Sequence, residues 1–353
     1  MIEVTRRGFN RGLIGLPFAL AGCISDDAQP LPDRPWHHTA SGFRNPPGSP
    51  IRGGDFGDWT SFWVRRFSSA AQPDQPPGHV LPPDAVAAGL RRPRSDDSLT
   101  WLGHACFLIR LDGRTILTDP FLSQHASPVP PFGPERFAPP GLSPAELPLI
   151  DILLLSHNHY DHLDLPTIEA LPARQRIQAI VPLRLGHYFA SRGFGGVHEL
   201  DWHDQVEVAG ITVTGLPAIH FSKRTLFDRN ETLWGGYAVQ GRRKRIHFAG
   251  DTGYGPIFPE LGRNMRPFDL SLVPIGAYEP RLLMEAVHVN PEEAVRLARD
   301  LYARRVVAMH WGTILLTDEP PFEPPERFRR AARAAGYGDD DAWVMRIGET
   351  RAI

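Results

Sequence analysis

One short segment concentrates groups that bind metal ions: Ser156-His157-Asn158-His159-Tyr160-Asp161-His162-Leu163 places three imidazoles and a carboxylate within six consecutive positions. In an extended loop side chains alternate, so His157 and His159 point the same way and one ion can take both. Asp161 and His162 then turn towards a second ion as the chain enters a helix expected over residues 165–171. A solvated histidine-rich loop would not need an aspartate at this spacing behind a core strand. Four donors cannot close two shells, since zinc takes about four ligands per ion. The rest of the chain must supply more.

Three further segments share one design of apolar strand, donor and turn. His220 follows Gly215-Leu216-Pro217-Ala218-Ile219. Asp251 lies in Phe248-Ala249-Gly250-Asp251-Thr252-Gly253, where a carboxylate can bridge two cations. His310 follows Val306-Val307-Ala308-Met309 and precedes Trp311-Gly312. Imidazole and carboxylate without thiolate suit zinc, and ligand type alone leaves iron and manganese open. Two divalent ions about 3.5–4 Å apart lower the pKa of a bridging water and hold the attacking and leaving oxygens of a phosphodiester displacement. The expected nucleophile is therefore hydroxide, and no serine elbow or P-loop pattern competes for that role.

Such donors need strand ends to hold them, and the sequence supplies strands. Residues 100–102, 105–111 and 114–118 read as consecutive strands, the last two joined by an Asp112-Gly113 turn. Residues 151–155 form an apolar run buried on both faces, and later candidates are 177–181, 211–216, 234–240, 245–249, 270–274 and 305–308. The clearest helix opens at Asn290-Pro291-Glu292-Glu293, with an N-cap residue, proline at the first helical position and acids against the dipole. Hairpins early and helices late suggest two packed sheets with helices outside. His288 stands just before that helix, where free N–H groups favour an anion; the competing structural role is helix capping.

The 353 residues are 42% hydrophobic and 22% charged, which excludes wholesale disorder and a polytopic membrane protein. Lys plus Arg number 38 against 40 for Asp plus Glu, so no net charge draws the chain to nucleic acid. Arg242-Arg243-Lys244-Arg245 reads as a solvated hairpin turn. Residues 1–23 read as an export address. Thr5-Arg6-Arg7-Gly8-Phe9 resembles the twin-arginine motif, residues 12–22 are too short to span a bilayer, and Leu20-Ala21-Gly22-Cys23 looks like a lipobox. Lipidation of Cys23 would leave Cys106 alone as a small buried strand residue. Ile24, in place of an aspartate after that cysteine, points to the outer membrane and its periplasmic face. Residues 24–98 carry prolines in runs such as Asn45-Pro46-Pro47, so regular structure is expected to be scarce there. The early part reads as a linker. The later part, with Phe56, Trp59, Phe62, Trp63 and Phe67, is expected to wrap on a core domain spanning residues 99–353.

The series His157-Asn158-His159-Tyr160-Asp161-His162, His220, Asp251 and His310 resembles the metallo-β-lactamase signature. The resemblance narrows on Thr100-Trp101-Leu102-Gly103-His104-Ala105, Leu117-Thr118-Asp119-Pro120, His220-Phe221-Ser222-Lys223-Arg224-Thr225, Leu233-Trp234-Gly235-Gly236, Pro274-Ile275-Gly276-Ala277-Tyr278-Glu279-Pro280-Arg281 and His310-Trp311-Gly312-Thr313. Together these are similar to the N-acyl-phosphatidylethanolamine-hydrolysing phospholipase D family, over roughly residues 43–325. That resemblance implies an α/β fold, a four-layer αββα sandwich. It implies two zinc ions, the first on His157, His159 and His220, the second on Asp161, His162 and His310, with Asp251 bridging. Asp161, Asp251 and His288 become the catalytic set, with His288 contacting phosphate or protonating the leaving group. Tyr160, His288 and Tyr278 are substrate-contact candidates, flanked by Glu279 and Arg281, while His104 and Asp119 orient ligands. The implied reaction is attack of metal-activated hydroxide on a membrane phospholipid, releasing phosphatidic acid and an N-acylethanolamine. The same residues also fit a hydrolase of soluble phosphodiesters or lactones, or a zinc-binding envelope lipoprotein without turnover.

Overall fold

The computed structural model describes residues 31, 33–68, 72–91 and 96–353. The export address expected over residues 1–23, Cys23 included, lies outside the described residues. Fourteen strands are found among the described residues, β1 (Ser98–Gly103), β2 (Cys106–Leu111), β3 (Arg114–Thr118), β4 (Ile152–Leu154), β5 (Gln178–Pro182), β6 (Gly196–Leu200), β7 (Gln205–Val208), β8 (Ile211–Leu216), β9 (Gly236–Gln240), β10 (Arg245–Phe248), β11 (Phe268–Pro274), β12 (Ala303–Met309), β13 (Ala342–Trp343) and β14 (Thr350–Ala352). They form two seven-stranded sheets, in the orders β14-β1-β2-β3-β4-β5-β6 and β13-β12-β11-β10-β9-β8-β7.

Each sheet follows the same plan. Antiparallel pairing joins β1, β2 and β3, and β7, β8, β9 and β10; parallel pairing then carries β3 through β6, and β10 through β13. The β2–β3 hairpin closes as expected through Asp112 and Gly113, both with positive φ (49° and 78°), the backbone that lets a two-residue turn match strand twist. Strand directions follow from these pairings. β1 and β3 run the same way as β4, and β8 runs the same way as β10, β11 and β12, so the carboxyl ends of the four ligand-bearing strands, β4, β8, β10 and β12, gather at one edge of each sheet.

Burial explains the continuous apolar runs. In β2, Phe107, Ile109 and Leu111 pack between the sheets, where β8, β9, β10 and β11 contribute Ile211, Val239, Ile246 and Leu270. Cys106 and Leu108 face the other way, into an outer core shared with Val86, Ile168 and Phe189. Those last three sit on the helices Pro83–Leu90, Leu165–Ala170 and His187–Ala190. The second sheet is covered by helices Ile257–Met265, Pro291–Asp300 and Pro324–Ala334, through buried Phe258, Leu297 and Phe328. Helix, sheet, sheet and helix make the four-layer αββα sandwich. Cys106 is fully buried, as expected of a small strand residue.

The proline-rich amino-terminal region corrects the expectation of scarce regular structure. Its segment Phe56–Ser68 is a 13-residue helix that buries Phe62 against Leu283, Met284 and Val287, with Trp59 and Trp63 packed partly alongside and Phe56 exposed. The prolines flank the helices rather than interrupting them, so their number said little about the segments between. Strands β6, β7, β13 and β14 were not foreseen either; they lie at or near sheet edges, where short or polar sequences leave no apolar run. Among the described residues no helix is long and apolar enough to cross a membrane.

The helix Pro291–Asp300 has the start its sequence announces: Asn290 accepts from the Glu293 N–H (2.9 Å) while the Glu293 carboxylate accepts from the Asn290 N–H (3.0 Å). Replacing Asn290 with Ala is expected to cost about 1 kcal/mol of stability, read as a lower urea midpoint at unchanged slope.

Candidate metal centre

The loop after β4 begins with Ser156, whose N–H and hydroxyl both donate to Asp119 at the end of β3 (2.7 and 2.5 Å). Asp119 also accepts from His162 Nδ1 (2.7 Å), leaving Nε2 of that ring turned inwards. Both sheets meet here. Gly235 N–H donates to the Ser156 carbonyl (3.0 Å), and His310 N–H donates to the His104 carbonyl (3.0 Å). Gly250 has φ +60°, and a Cβ on it would stand 2.6 Å from Ser156 Cβ; only glycine lets the β10 loop bring Asp251 this close.

All seven expected ligands converge. His157 Nε2, His159 Nδ1 and His220 Nε2 form one trio, with 2.8 Å between the first pair and 3.2 Å between the second. Asp161, His162 and His310 form another, Asp161 Oδ2 lying 3.6 Å from Nε2 of each histidine. Asp251 Oδ2 sits between the trios, 3.1 Å from His162 Nε2, 3.2 Å from His310 Nε2 and 3.8 Å from the Nε2 atoms of His157 and His220. These are separations of atoms aimed at a common point. His162 Nε2, both ring nitrogens of His310 and Asp251 Oδ1 are buried without a hydrogen-bond partner. Buried polar atoms ordinarily find partners, so orphans this dense mark places that a cation fills. The donor set of imidazoles and carboxylates fits divalent metal ions.

The electrostatics agree. Burial would raise the Asp161 and Asp251 carboxyls, but the surrounding imidazoles, His162 foremost, hold both well below the usual carboxylate range. Burial lowers His159 and His220 to about 3, leaving them neutral and ready to ligate. Burial also works against His310, yet the nearby carboxylates of Asp251 and Asp161 raise it to about 9; His162 is raised too. Without a cation, these two rings carry the positive charge the carboxylates demand.

Other expected residues fall into different places. His104 Nε2–H donates to Asp161 Oδ2 (2.9 Å) and the ring lies against His310, so it touches the second trio directly. His288 stands partly exposed beside His220 and His310, with Nδ1 buried and unpartnered. It is not a helix cap: Asn290 has that role, and the anion expected at this helix start is already supplied by Glu293, itself paired with Arg281 (3.0 Å). Tyr278 corrects the expectation of a substrate contact. Its side chain is fully buried and its hydroxyl donates to Glu323 (3.1 Å), so it serves packing. Glu279 likewise turns to local backbone, accepting from Arg281 N–H (3.0 Å). Tyr160 is half-buried and its hydroxyl donates to the Arg224 carbonyl (2.8 Å); its ring carries the Arg224 guanidinium, which ties down the Asn158 and Leu163 carbonyls (3.0 and 2.8 Å). Tyr160 therefore braces the metal loop. Sequence reasoning missed Asn45, which bonds the backbone of His220; only its extended Asn-Pro context hinted at a side chain free to pair.

A sequence profile of the Beta-lactamase superfamily domain matches residues 114–311. The chain therefore belongs to the metallo-β-lactamase superfamily. Among similar solved structures is the isothiocyanate hydrolase from Delia radicum gut bacteria, with TM-score 0.57 and 20% identity over 72% of this chain and 98% of that one; it shares the fold. An uncharacterized protein of Mycobacterium tuberculosis is 43% identical over 240 residues, 67% of this chain, and the match spans 64% of the relative's own length. The N-acyl-phosphatidylethanolamine-hydrolyzing phospholipase D 1 of Caenorhabditis elegans is 39% identical over 257 residues, 69% of this chain and 72% of that one. Within the superfamily, the chain belongs to the family of N-acyl-phosphatidylethanolamine-hydrolysing phospholipases D.

A pH dependence follows. A histidine must be neutral to ligate, so metal binding displaces a proton from His310, whose metal-free pKa is about 9, and from His162, raised in the same direction. His159 and His220, lowered to about 3, have none to lose near neutrality. Chelator-competition titrations between pH 6 and 9 are expected to show the site of His162 and His310 weakening as pH falls, by about tenfold per unit for each proton released. The site of His157, His159 and His220 is expected to stay nearly level over the same range.

Proposed function

We propose that the protein is a two-zinc phosphodiesterase that cleaves N-acyl-phosphatidylethanolamine, or a related phospholipid, to phosphatidic acid and an N-acylethanolamine. The observation that carries the reading is Asp251 Oδ2 between two ligand trios, with His288 facing the same space. The 39% identity to the C. elegans phospholipase D supports the substrate. His157, His159 and His220 would hold one ion, Asp161, His162 and His310 the other, with Asp251 shared. Two divalent cations held there lower the pKa of a water and neutralise charge developing on phosphoryl oxygens.

The chain's own residues do the rest. Asp119 and His104 fix the orientations of His162 and Asp161. His288 is lowered by burial and stands neutral, so it offers an N–H hydrogen bond to a phosphoryl oxygen rather than a proton to the leaving group. The partly exposed Leu315 and Leu316 line one pocket with His104 and His310, apolar side chains suited to a lipid rather than to a highly charged soluble ester.

Metal-loaded protein incubated with N-acyl-phosphatidylethanolamine should release both products, and Asp251→Asn should lower the rate at least about 100-fold while the fold persists. Cleavage of a soluble diester or lactone with neither lipid product would remove the substrate assignment. An inert enzyme on every ester would favour a zinc-binding envelope protein instead.

Export by the twin-arginine route and lipidation of Cys23 would place this chemistry on the envelope membrane, on the periplasmic face of the outer membrane. Cys23→Ser should then move the protein from the membrane fraction to the soluble periplasm; persistence in the membrane fraction would reject the anchor.

A further inference from the structure

His220 lies beyond the last ladder residue of β8, Leu216, so no neighbouring strand holds its backbone. A side chain does so instead. The His220 N–H donates to Asn45 Oδ1 (2.9 Å), and Asn45 Nδ2 donates to the His220 carbonyl (2.8 Å). One amide thereby satisfies both backbone polar groups of a buried residue, as a paired strand would. The ring is set separately: Nδ1 donates to the Val287 carbonyl (2.9 Å), which leaves Nε2 as the electron-pair donor aimed at the first trio.

Asn45 is itself fixed by a strap of residues 36–45. Trp234 Nε1 donates to Asn45 Oδ1 (3.2 Å), and Trp202 Nε1 donates to the Trp234 carbonyl (2.7 Å). His37 stacks on Trp202 with 4.3 Å between ring centres. His37 and His38 grip the two oxygens of Asp201 through their Nε2 atoms (2.6 and 2.7 Å). Those distances are hydrogen bonds. The His37-His38-Asp201 trio thus clasps the strap to the turn after β6. Phe43 N–H adds a bond to the Asn230 carbonyl (2.9 Å). The strap precedes β1, the first strand of the sandwich, and residue 114, where the match to the superfamily profile begins.

We infer that Asn45 is a positioning residue of the metal centre, through which the amino-terminal strap sets where His220 presents its Nε2. The ion held by His157, His159 and His220 therefore depends on two stretches of chain, one of them outside the superfamily domain. This holds whichever ester the centre cleaves.

The full-length protein, stripped of metal, can be titrated with Co2+ against a competing chelator while the visible spectrum reports each site. Asn45→Ala is expected to weaken one of the two sites by about 10–100-fold, alter that site's Co2+ absorption and leave the other within about twofold. Asp201→Asn, which loosens the clasp, should act in the same direction and less strongly. Should Asn45→Ala not fold, Asn45→Asp carries the measurement, since it keeps the shape and the acceptor and loses the donor. Wild-type affinities with an unchanged spectrum would overturn the inference. So would a loss shared equally by both sites and tracking a lower melting temperature, which would make Asn45 a part of the fold alone.

Discussion

Two ionised carboxylates, Asp161 and Asp251, are buried among imidazoles at the meeting edge of two sheets, and such charges persist away from water only with positive charge beside them. That requirement organises the rest. Cations at the two trios meet it with the orphaned nitrogens of His162 and His310 as ligands; without them, those two rings hold protons in their place. The same charge balance that makes the site costly to bury makes it able to take metal.

The sandwich meets the demand through strand direction. β4, β8, β10 and β12 each end at the same edge, so ligands far apart in sequence arrive within a few ångströms of one another. Strand ends are rigid, and the residues just past them are free to adopt unusual backbone: His104 and His310 both have positive φ (53° and 59°), as does Gly250. A second ring of contacts removes what freedom remains. Asp119 aligns His162 and Ser156, His104 meets Asp161, Val287 turns His220, and Asn45 holds its backbone.

The amino-terminal region is best understood in this light. Its strap reaches a ligand directly, and its helix Phe56–Ser68 packs Phe62 on the segment that precedes His288. An export address and a proline-rich stretch would ordinarily read as delivery and spacing. Here Phe43, Phe62 and Asn45 are built into the packing around the metal ligands and the segment before His288, which ties this region to the metal centre.

The sequence by itself determined the ligand set and the core strands, because both are written locally: alternation aligns His157 with His159, and apolar runs such as 211–216 and 114–118 reproduce β8 and β3 to the residue. The Asn290 cap was equally legible, since a capping box is closed within four residues. Tertiary structure alone decided the rest. Tyr278 stood in a family motif yet is buried with its hydroxyl on Glu323, and Tyr160 stood in the metal loop yet braces Arg224, because which way a ring points depends on neighbours more than 40 residues distant. Asn45 carried no signal beyond the proline that follows it, because its partner lies 175 residues away. Backbone geometry and burial are short-range and leave periodic traces, whereas a hydrogen bond between distant segments leaves none until the chain has closed around it.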